Sequence, residues 1–210
     1  MKDMRKGSIL TRLIIGLGFA ILAIALLRLA FDGRAVELPV LATVPAFEFI
    51  DQNGDEFGSE NLAGRVWVAT FIYSTCPGPC PRVMQKVREL DAKLTNDSRL
   101  SLVSFSVDPE VDTPEVLAEF GQGHGVDAGR WKLLTGPSDE IFDLVRKGFL
   151  LGVSRTDDDA PPSADGPVVH SVRLVLVDGA MNVRGYYDTT DPEAMQRAGR
   201  DIKWLLADNS

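Results

Sequence analysis

Nine consecutive residues, Arg65 to Tyr73 (RVWVATFIY), combine aromatic and β-branched side chains with little apolar–polar alternation. Such a run fits a strand buried on both faces, at the middle of a sheet covered by helices. After the intervening STCPGPCP, Val83, Val87, Leu90 and Leu94 recur at spacings of four, three and four, one face of an amphipathic helix. A strand–loop–helix unit therefore presents Cys76 in its loop and Cys80 near the first helical turn. LSLVSFSV (100–107) is the next strand candidate. Thr113 to Gly121 then reads as a helix, with Thr113 as N-cap, Pro114 at its first position and Gly121 ending it. The order β-α-β-α implies parallel strands at the centre of the sheet, joined by right-handed crossovers.

The flanking segments extend this core. FEFIDQNGDEF (47–57) alternates around an Asn53-Gly54 turn and predicts an N-terminal hairpin. Trp131 to Leu134 is a short strand, followed by a helix from Ser138 to about Lys147. Val153 to Pro167 is acidic and proline-rich, the composition of a surface loop. It leads into VVHSVRLVLVDG (168–179), a strand with an Asp178-Gly179 turn. The last helix, Pro192 to Leu206, carries Met195, Ile202 and Leu206 on its apolar face. There is no internal repeat.

The N-terminus has a different character. Lys2, Arg5 and Lys6 precede a stretch, Ile9 to Phe31, that is apolar apart from Thr11, Arg12, Arg28 and glycines. Its length predicts a transmembrane helix with the basic end in the cytoplasm. The competing reading is a cleaved signal peptide, because the uncharged core from Leu13 to Leu27 is short, although no clear A-x-A site follows it. The expected organisation is a cytoplasmic tail and membrane anchor over 1–34, a linker over 35–44 and a globular domain over 45–210. This places a single-pass protein in a bacterial inner membrane, with its C-terminal domain in the periplasm. Beyond residue 34 the chain has 16 Lys/Arg against 28 Asp/Glu, a formal charge of −12, which argues against a nucleic-acid partner.

Cys76 and Cys80 are the only cysteines. A disulfide between residues so close removes little chain entropy, so a purely structural staple is a poor use for them. They fall where a central strand of an α/β sheet ends and a helix begins, where positive potential favours thiolate over thiol. Thiolate is both the redox nucleophile and the metal-binding form. C-x-x-x-C differs from the C-x-x-C of thioredoxin-type catalysts, yet a disulfide across it is geometrically feasible. Of the two histidines, His170 precedes a predicted strand, where the fold can bring it beside the cysteines; His124 lies in a glycine-rich turn, GQGHGV. Two thiolates and an imidazole form a soft, low-coordinate set that suits copper, whereas a structural zinc site wants a fourth protein ligand.

FIYSTCPGPCP, FSVDPEVDTPEVLAEF, WKLLTG and VVHSVRLVLVDG, in this order and at these separations, resemble the Sco/SenC family of copper-handling proteins. The resemblance implies a thioredoxin-like fold, with a central mixed sheet flanked by helices. It also implies a metallochaperone that binds copper, Cu(I) or Cu(II), through Cys76, Cys80 and His170. Its expected partner is the copper A-bearing subunit of cytochrome c oxidase, with other periplasmic copper chaperones or thiol reductants as further partners. The alternative function is a thiol–disulfide oxidoreductase in which Cys76 and Cys80 are catalytic and reduce the cysteines of the target. A peroxidase is disfavoured, since no P-x-x-x-C run is present. The chain departs from the family pattern at Gly78, where an acidic residue is frequent. Asp108, Glu110 and Asp112 also match the family, and their local chemistry reads as turns and caps.

Overall fold

A computed structural model of the chain describes residues 15–19, 21–23, 38–94, 97–152 and 172–208. Residues 38–208 contain an eight-stranded mixed sheet flanked by helices, the thioredoxin-like arrangement. The strands are β1 (Ala42–Thr43), β2 (Glu48–Asp51), β3 (Glu56–Gly58), β4 (Val66–Ile72), β5 (Leu100–Ser106), β6 (Trp131–Thr135), β7 (Arg173–Val177) and β8 (Asn182–Asp188). Across the sheet they run β1-β8-β7-β4-β5-β6-β2-β3. The helices are α1 (Pro79–Ala92), α2 (Pro114–His124), α3 (Ser138–Asp143), continued by one wider turn over Leu144–Gly148, and α4 (Pro192–Asp208).

Every residue of β4 is buried, as its uniform apolar sequence requires. It pairs in parallel with β5 from Val66↔Leu100 to Ile72↔Ser106, and β5 pairs in parallel with β6. The β4–α1–β5–α2–β6 order supplies this parallel centre. β7 joins the other side of β4 antiparallel, and β2 joins β6 antiparallel, so the whole sheet is mixed. Along β4, alternate side chains share a face. Trp67 and Phe71 there meet Phe149 edge-on, at 5.9 and 5.1 Å between ring centroids. Phe105 joins the same cluster at 5.6 Å from Phe149. Several polar groups inside the sheet pair with one another: the Thr70 and Ser104 hydroxyls lie 2.7 Å apart, and Trp131 Nε1–H donates to Ser104 Oγ at 2.9 Å, whereas Trp67 Nε1–H is buried without a partner among the described residues.

Two local readings change, and a third gains a packing reason. Gly121 does not end α2. The helix continues to His124 and stops at Gly125, which is left-handed at φ 70°. Gly121 is buried instead, and an added Cβ would sit 3.0 Å from Leu133 Cδ1, so its small size lets α2 approach β6. The Asp178-Gly179 turn joins β7 and β8 into the expected hairpin, with its positive φ at Met181, 64°. Gly179 is required by packing: a Cβ there would meet the Gly64 backbone at 2.8 Å, and Gly64 N–H donates to the Gly179 carbonyl. Finally, Ala42–Thr43, expected in a linker, pairs with β8, and Val44 beside it is buried.

The expected transmembrane helix is corrected. Among the described residues, no helix is long and apolar enough to cross a membrane. Within 1–34 the described helical residues are 15–19 and 21–23. The remainder of the segment lies outside the described residues. The physical weakness was already in the sequence, whose uncharged core from Leu13 to Leu27 falls short of the ~20 residues that a span needs. The membrane keyword, the membrane as a partner and the single-pass inner-membrane location fall with the anchor.

The Gly179 contact generates a stability prediction. Backbone cannot swing aside as a side-chain end can, so Gly179→Ala should destabilise the domain by about 1–3 kcal/mol, the usual cost of overpacking. Chemical denaturation should show a lower midpoint at unchanged slope; an unchanged midpoint would contradict the close approach.

Candidate functional site

β4 ends at the middle of one sheet edge, and the chain turns there through Tyr73, Ser74 and Thr75 into the cysteine loop. Cys76 N–H donates to the Tyr73 carbonyl at 3.3 Å, which fixes the turn. α1 then begins at Pro79, a residue that needs no N–H partner in the first turn. Its N-cap is Gly78, which has no side chain to accept the free N–H groups of that turn. Sulfur serves instead: Cys80 N–H donates to Cys76 Sγ at 3.3 Å, and Gly78 N–H points at the same atom.

The two cysteines are free thiols, 7% and 5% exposed, and they are hydrogen-bonded to each other. Their acidities are split. Burial pushes Cys76 up, but the Cys80 thiol, the Gly78 and Cys80 backbone N–H groups and the Tyr73 side chain together hold it below the ordinary thiol range. Cys80 is pushed well above that range, first by burial, then by the hydrogen bond to Cys76 and by the charges of Cys76 and Asp112. The arrangement thus provides one thiolate-prone sulfur near the helix N-terminus and a second, proton-holding sulfur behind it.

Asp112 is the residue that sequence reasoning undervalued by assigning it to turn and cap chemistry. It is fully buried. Its carboxylate accepts Ser74 N–H, 3.1 Å from each oxygen, and the Ser106 hydroxyl at 2.6 Å. It therefore ties the end of β5 to the start of the cysteine loop. The one sequence mark of this role is its place between a buried strand and the helix N-cap Thr113, whose hydroxyl accepts Val116 N–H. Asp108 lies beside it, and burial followed by repulsion from Asp112 and Glu110 raises its pKa above the usual carboxylate range.

His124 sits at the end of α2, with Nδ1 2.8 Å from the Phe120 carbonyl and its ring 4.2 Å from that of Phe120. It is the last residue of the helix rather than part of a glycine-rich turn. His170 lies outside the described residues. The strand that follows it in sequence is informative: β7 pairs antiparallel with β4, Ala69↔Val175 and Trp67↔Val177, so the chain enters β7 at the edge where β4 releases the cysteine loop. Among the described residues, no three His, Cys, Asp or Glu side chains are grouped closely enough to hold a metal ion. Within that set, Cys76 and Cys80 are the soft donors available for copper.

Residues 37–207 match the SCO1/SenC family. The chain belongs to that family. A SCO1 protein homolog of Bacillus subtilis (strain 168) is 32% identical over 150 residues, which cover 70% of this chain and 75% of that protein. Among solved structures, BsSco, a member of the Sco family of cytochrome c oxidase assembly proteins in which a disulfide switch is identified, is 29% identical with a TM-score of 0.69. That match covers 80% of this chain and 96% of BsSco. Yeast Sco1 with copper bound is 25% identical with a TM-score of 0.62, covering 79% of this chain and 90% of the yeast protein. The SCO1/SenC match spans every strand of the sheet and the cysteine loop together, so the Cys76–Cys80 unit is embedded in the family fold rather than borrowed as an isolated motif.

The split acidities are measurable. As pH rises, Cys76 should become alkylatable first, below the pH at which a free cysteine reacts, with Cys80 following far later. Asp112→Asn removes a negative charge that opposes Cys80 ionisation, so it should bring Cys80 alkylation to lower pH while the fold persists. Mass spectrometry of iodoacetamide-treated protein across pH resolves the two sites; simultaneous modification of both would contradict the asymmetry.

Proposed function

We propose that this SCO1/SenC protein is a copper-handling assembly factor that holds copper through Cys76, Cys80 and His170 and passes it to the copper A centre of cytochrome c oxidase. The observation that carries the reading is the paired sulfur site: two buried thiols at one helix N-terminus, on the sheet edge where the chain carrying His170 enters β7. Copper bound in yeast Sco1, and the oxidase-assembly role stated for the family of BsSco, support the metal and the recipient. The chemistry fits. Two thiolates would compensate the charge of Cu(I) in a site from which water is largely excluded, and the imidazole would complete a low-coordinate set. Binding has to strip the proton from Cys80, so copper uptake releases protons and tightens as pH rises.

The second reading is a thiol–disulfide reductase for the oxidase cysteines, favoured by the same acidity split. Cys76 is the attacking thiolate; Cys80 holds a proton until Cys76 is consumed in a mixed disulfide, then resolves it. In that reaction the Cys76–Cys80 pair is oxidised to a disulfide, the target disulfide is reduced, and the two target sulfurs take up the Cys80 proton and one from solvent. The disulfide switch identified in BsSco supports this second use of the pair.

Titration of the reduced full chain with copper separates the readings. One copper per chain is expected, lost in Cys76→Ser and Cys80→Ser, with thiolate-to-Cu(II) absorption bands altered in His170→Ala and affinity rising with pH. Copper uptake indifferent to both cysteine substitutions would overturn the site. A reductase that needs no copper should instead keep its rate of disulfide reduction in His170→Ala, and Cys80→Ser should accumulate the mixed disulfide.

A further inference from the structure

α1 and α4 lie side by side, and between them runs a groove of about 480 Å³. It continues into a second depression of about 350 Å³ through the shared residues Lys93, Leu94 and Lys203. The floor is apolar, with Leu90 and Leu94 buried and Met195 half-buried. The rim is cationic. Lys93, Arg200 and Lys203 are exposed and form no ion pair within 4 Å among the described residues; the acidic Glu89 at the rim is paired with Lys86 at 2.8 Å and is also drawn toward the Lys93 charge. This concentration of unpaired positive charge stands on a chain whose residues beyond 34 carry a formal −12. Solubility does not account for it, because the surplus acidic residues already supply the net charge that solubility asks for.

The shape narrows the ligand. Along α4 the lining residues run from Pro192 to Ala207, about 22 Å at 1.5 Å per residue. That is far longer than one phosphate or carboxylate, and it equals about four turns of a guest helix. The apolar side chains lie at the bottom of a concavity, unlike the protruding apolar residues with which proteins enter a lipid surface. A nucleic acid is opposed by the acidic remainder of the chain. Thr189 and Thr190, at the head of the groove, follow β8. Because β8 and β4 are both antiparallel to β7, that end of the groove lies on the edge from which the cysteine loop leaves β4.

We propose that the α1–α4 groove is a docking surface for an acidic amphipathic helix of a protein partner. The guest's apolar face lies over Leu90, Leu94 and Met195, and its carboxylates meet Lys93, Arg200 and Lys203, the helix-in-groove mode of peptide recognition. One end of the docked helix then stands at the cysteine edge. This goes beyond copper or thiol chemistry and is tested without copper, so its failure and failure of the proposed function are distinguishable.

The test uses the full chain, reduced and copper-free, and a synthetic helix-forming peptide with leucines on one face and glutamates on the other. Amide NMR should show saturable shifts confined to α1 and α4, weakened by added salt as exposed charge pairs are. The triple variant Lys93→Glu/Arg200→Glu/Lys203→Glu changes exposed side chains only, and its unfolding midpoint is checked first; it should bind at least about tenfold more weakly, a factor worth about 1.4 kcal/mol. Absence of saturable binding, shifts centred elsewhere, or equal binding by the charge-reversed variant would overturn the proposal. So would equal binding of a peptide with lysines replacing the glutamates, or of one with its leucines dispersed around the helix. Vesicles of anionic phosphatidylglycerol serve as the last arm: if they, and not the peptide, depend on the three cations, the groove is a lipid contact and the proposal fails.

Discussion

Asp112 is buried completely, and its two oxygens accept hydrogen bonds from Ser74 N–H and from the Ser106 hydroxyl. A charge in such a place is tolerated only when its lone pairs are taken up, and each charge-assisted hydrogen bond of this kind is worth about 1.5–3 kcal/mol. The consequence reaches through the whole site. Ser106 is the last residue of β5 and pairs with Ile72, the last of β4, so the carboxylate clamps the two central parallel strands at the point where one of them opens into the cysteine loop. Register of the sheet and position of the sulfurs are thereby one constraint: moving the loop would leave either a buried carboxylate or a buried amide unpaired.

The same clamp sets the electrostatics. Its negative charge contributes to holding the proton on Cys80, while Cys76, closer to the free N–H groups of α1, is pulled toward thiolate. A metal site and a redox couple both need this difference for a common reason, since each begins with one sulfur committed as thiolate and ends with the second giving up its proton. On the proposed copper reading, a soft incoming cation would take both sulfurs as ligands; on the reductase reading, an incoming disulfide sulfur would leave the second thiol as the resolving group. Geometry at the helix N-terminus therefore does not by itself choose between copper and disulfide chemistry. On the proposed readings, the choice lies with the proposed third ligand, His170, and with the partner presented.

How far the sequence disclosed this can be judged residue by residue. The central strand was legible because nine residues without alternation leave little option but burial on both faces, and the helix behind it because its apolar spacing is unambiguous. Asn53-Gly54 gave the hairpin turn, with Gly54 at φ 85°. Legibility stops where a residue's role depends on something distant in the chain. Gly121 and Gly179 look like a helix stop and a turn glycine, yet each is small because of a neighbour, Leu133 for one and Gly64 for the other. Ala42–Thr43 is two residues of an edge strand, too short for any periodicity, and only β8 makes it one. Asp112 fits local turn chemistry as well as any aspartate, and nothing in its neighbours reports that Ser74, 38 residues earlier, donates to it. The apolar N-terminal stretch misled for the opposite reason: composition over Ile9–Phe31 was averaged, while a span demands uninterrupted length.

Gly78 gains a physical meaning from the same geometry. A Cβ there would meet nothing within 4 Å, and φ is −152°, outside the left-handed region, so packing does not require the residue. What glycine does is leave the cap empty. An acidic side chain at this N-cap would compete for the first-turn N–H groups, as aspartate does at helix starts generally, and would add a negative charge beside the sulfur. With glycine, the Gly78 and Cys80 N–H groups are free to converge on Cys76 Sγ. Glycine thus leaves the capping role to the thiol itself, and the acidity of Cys76 is tied to the start of α1 more directly than a side-chain-capped helix would allow.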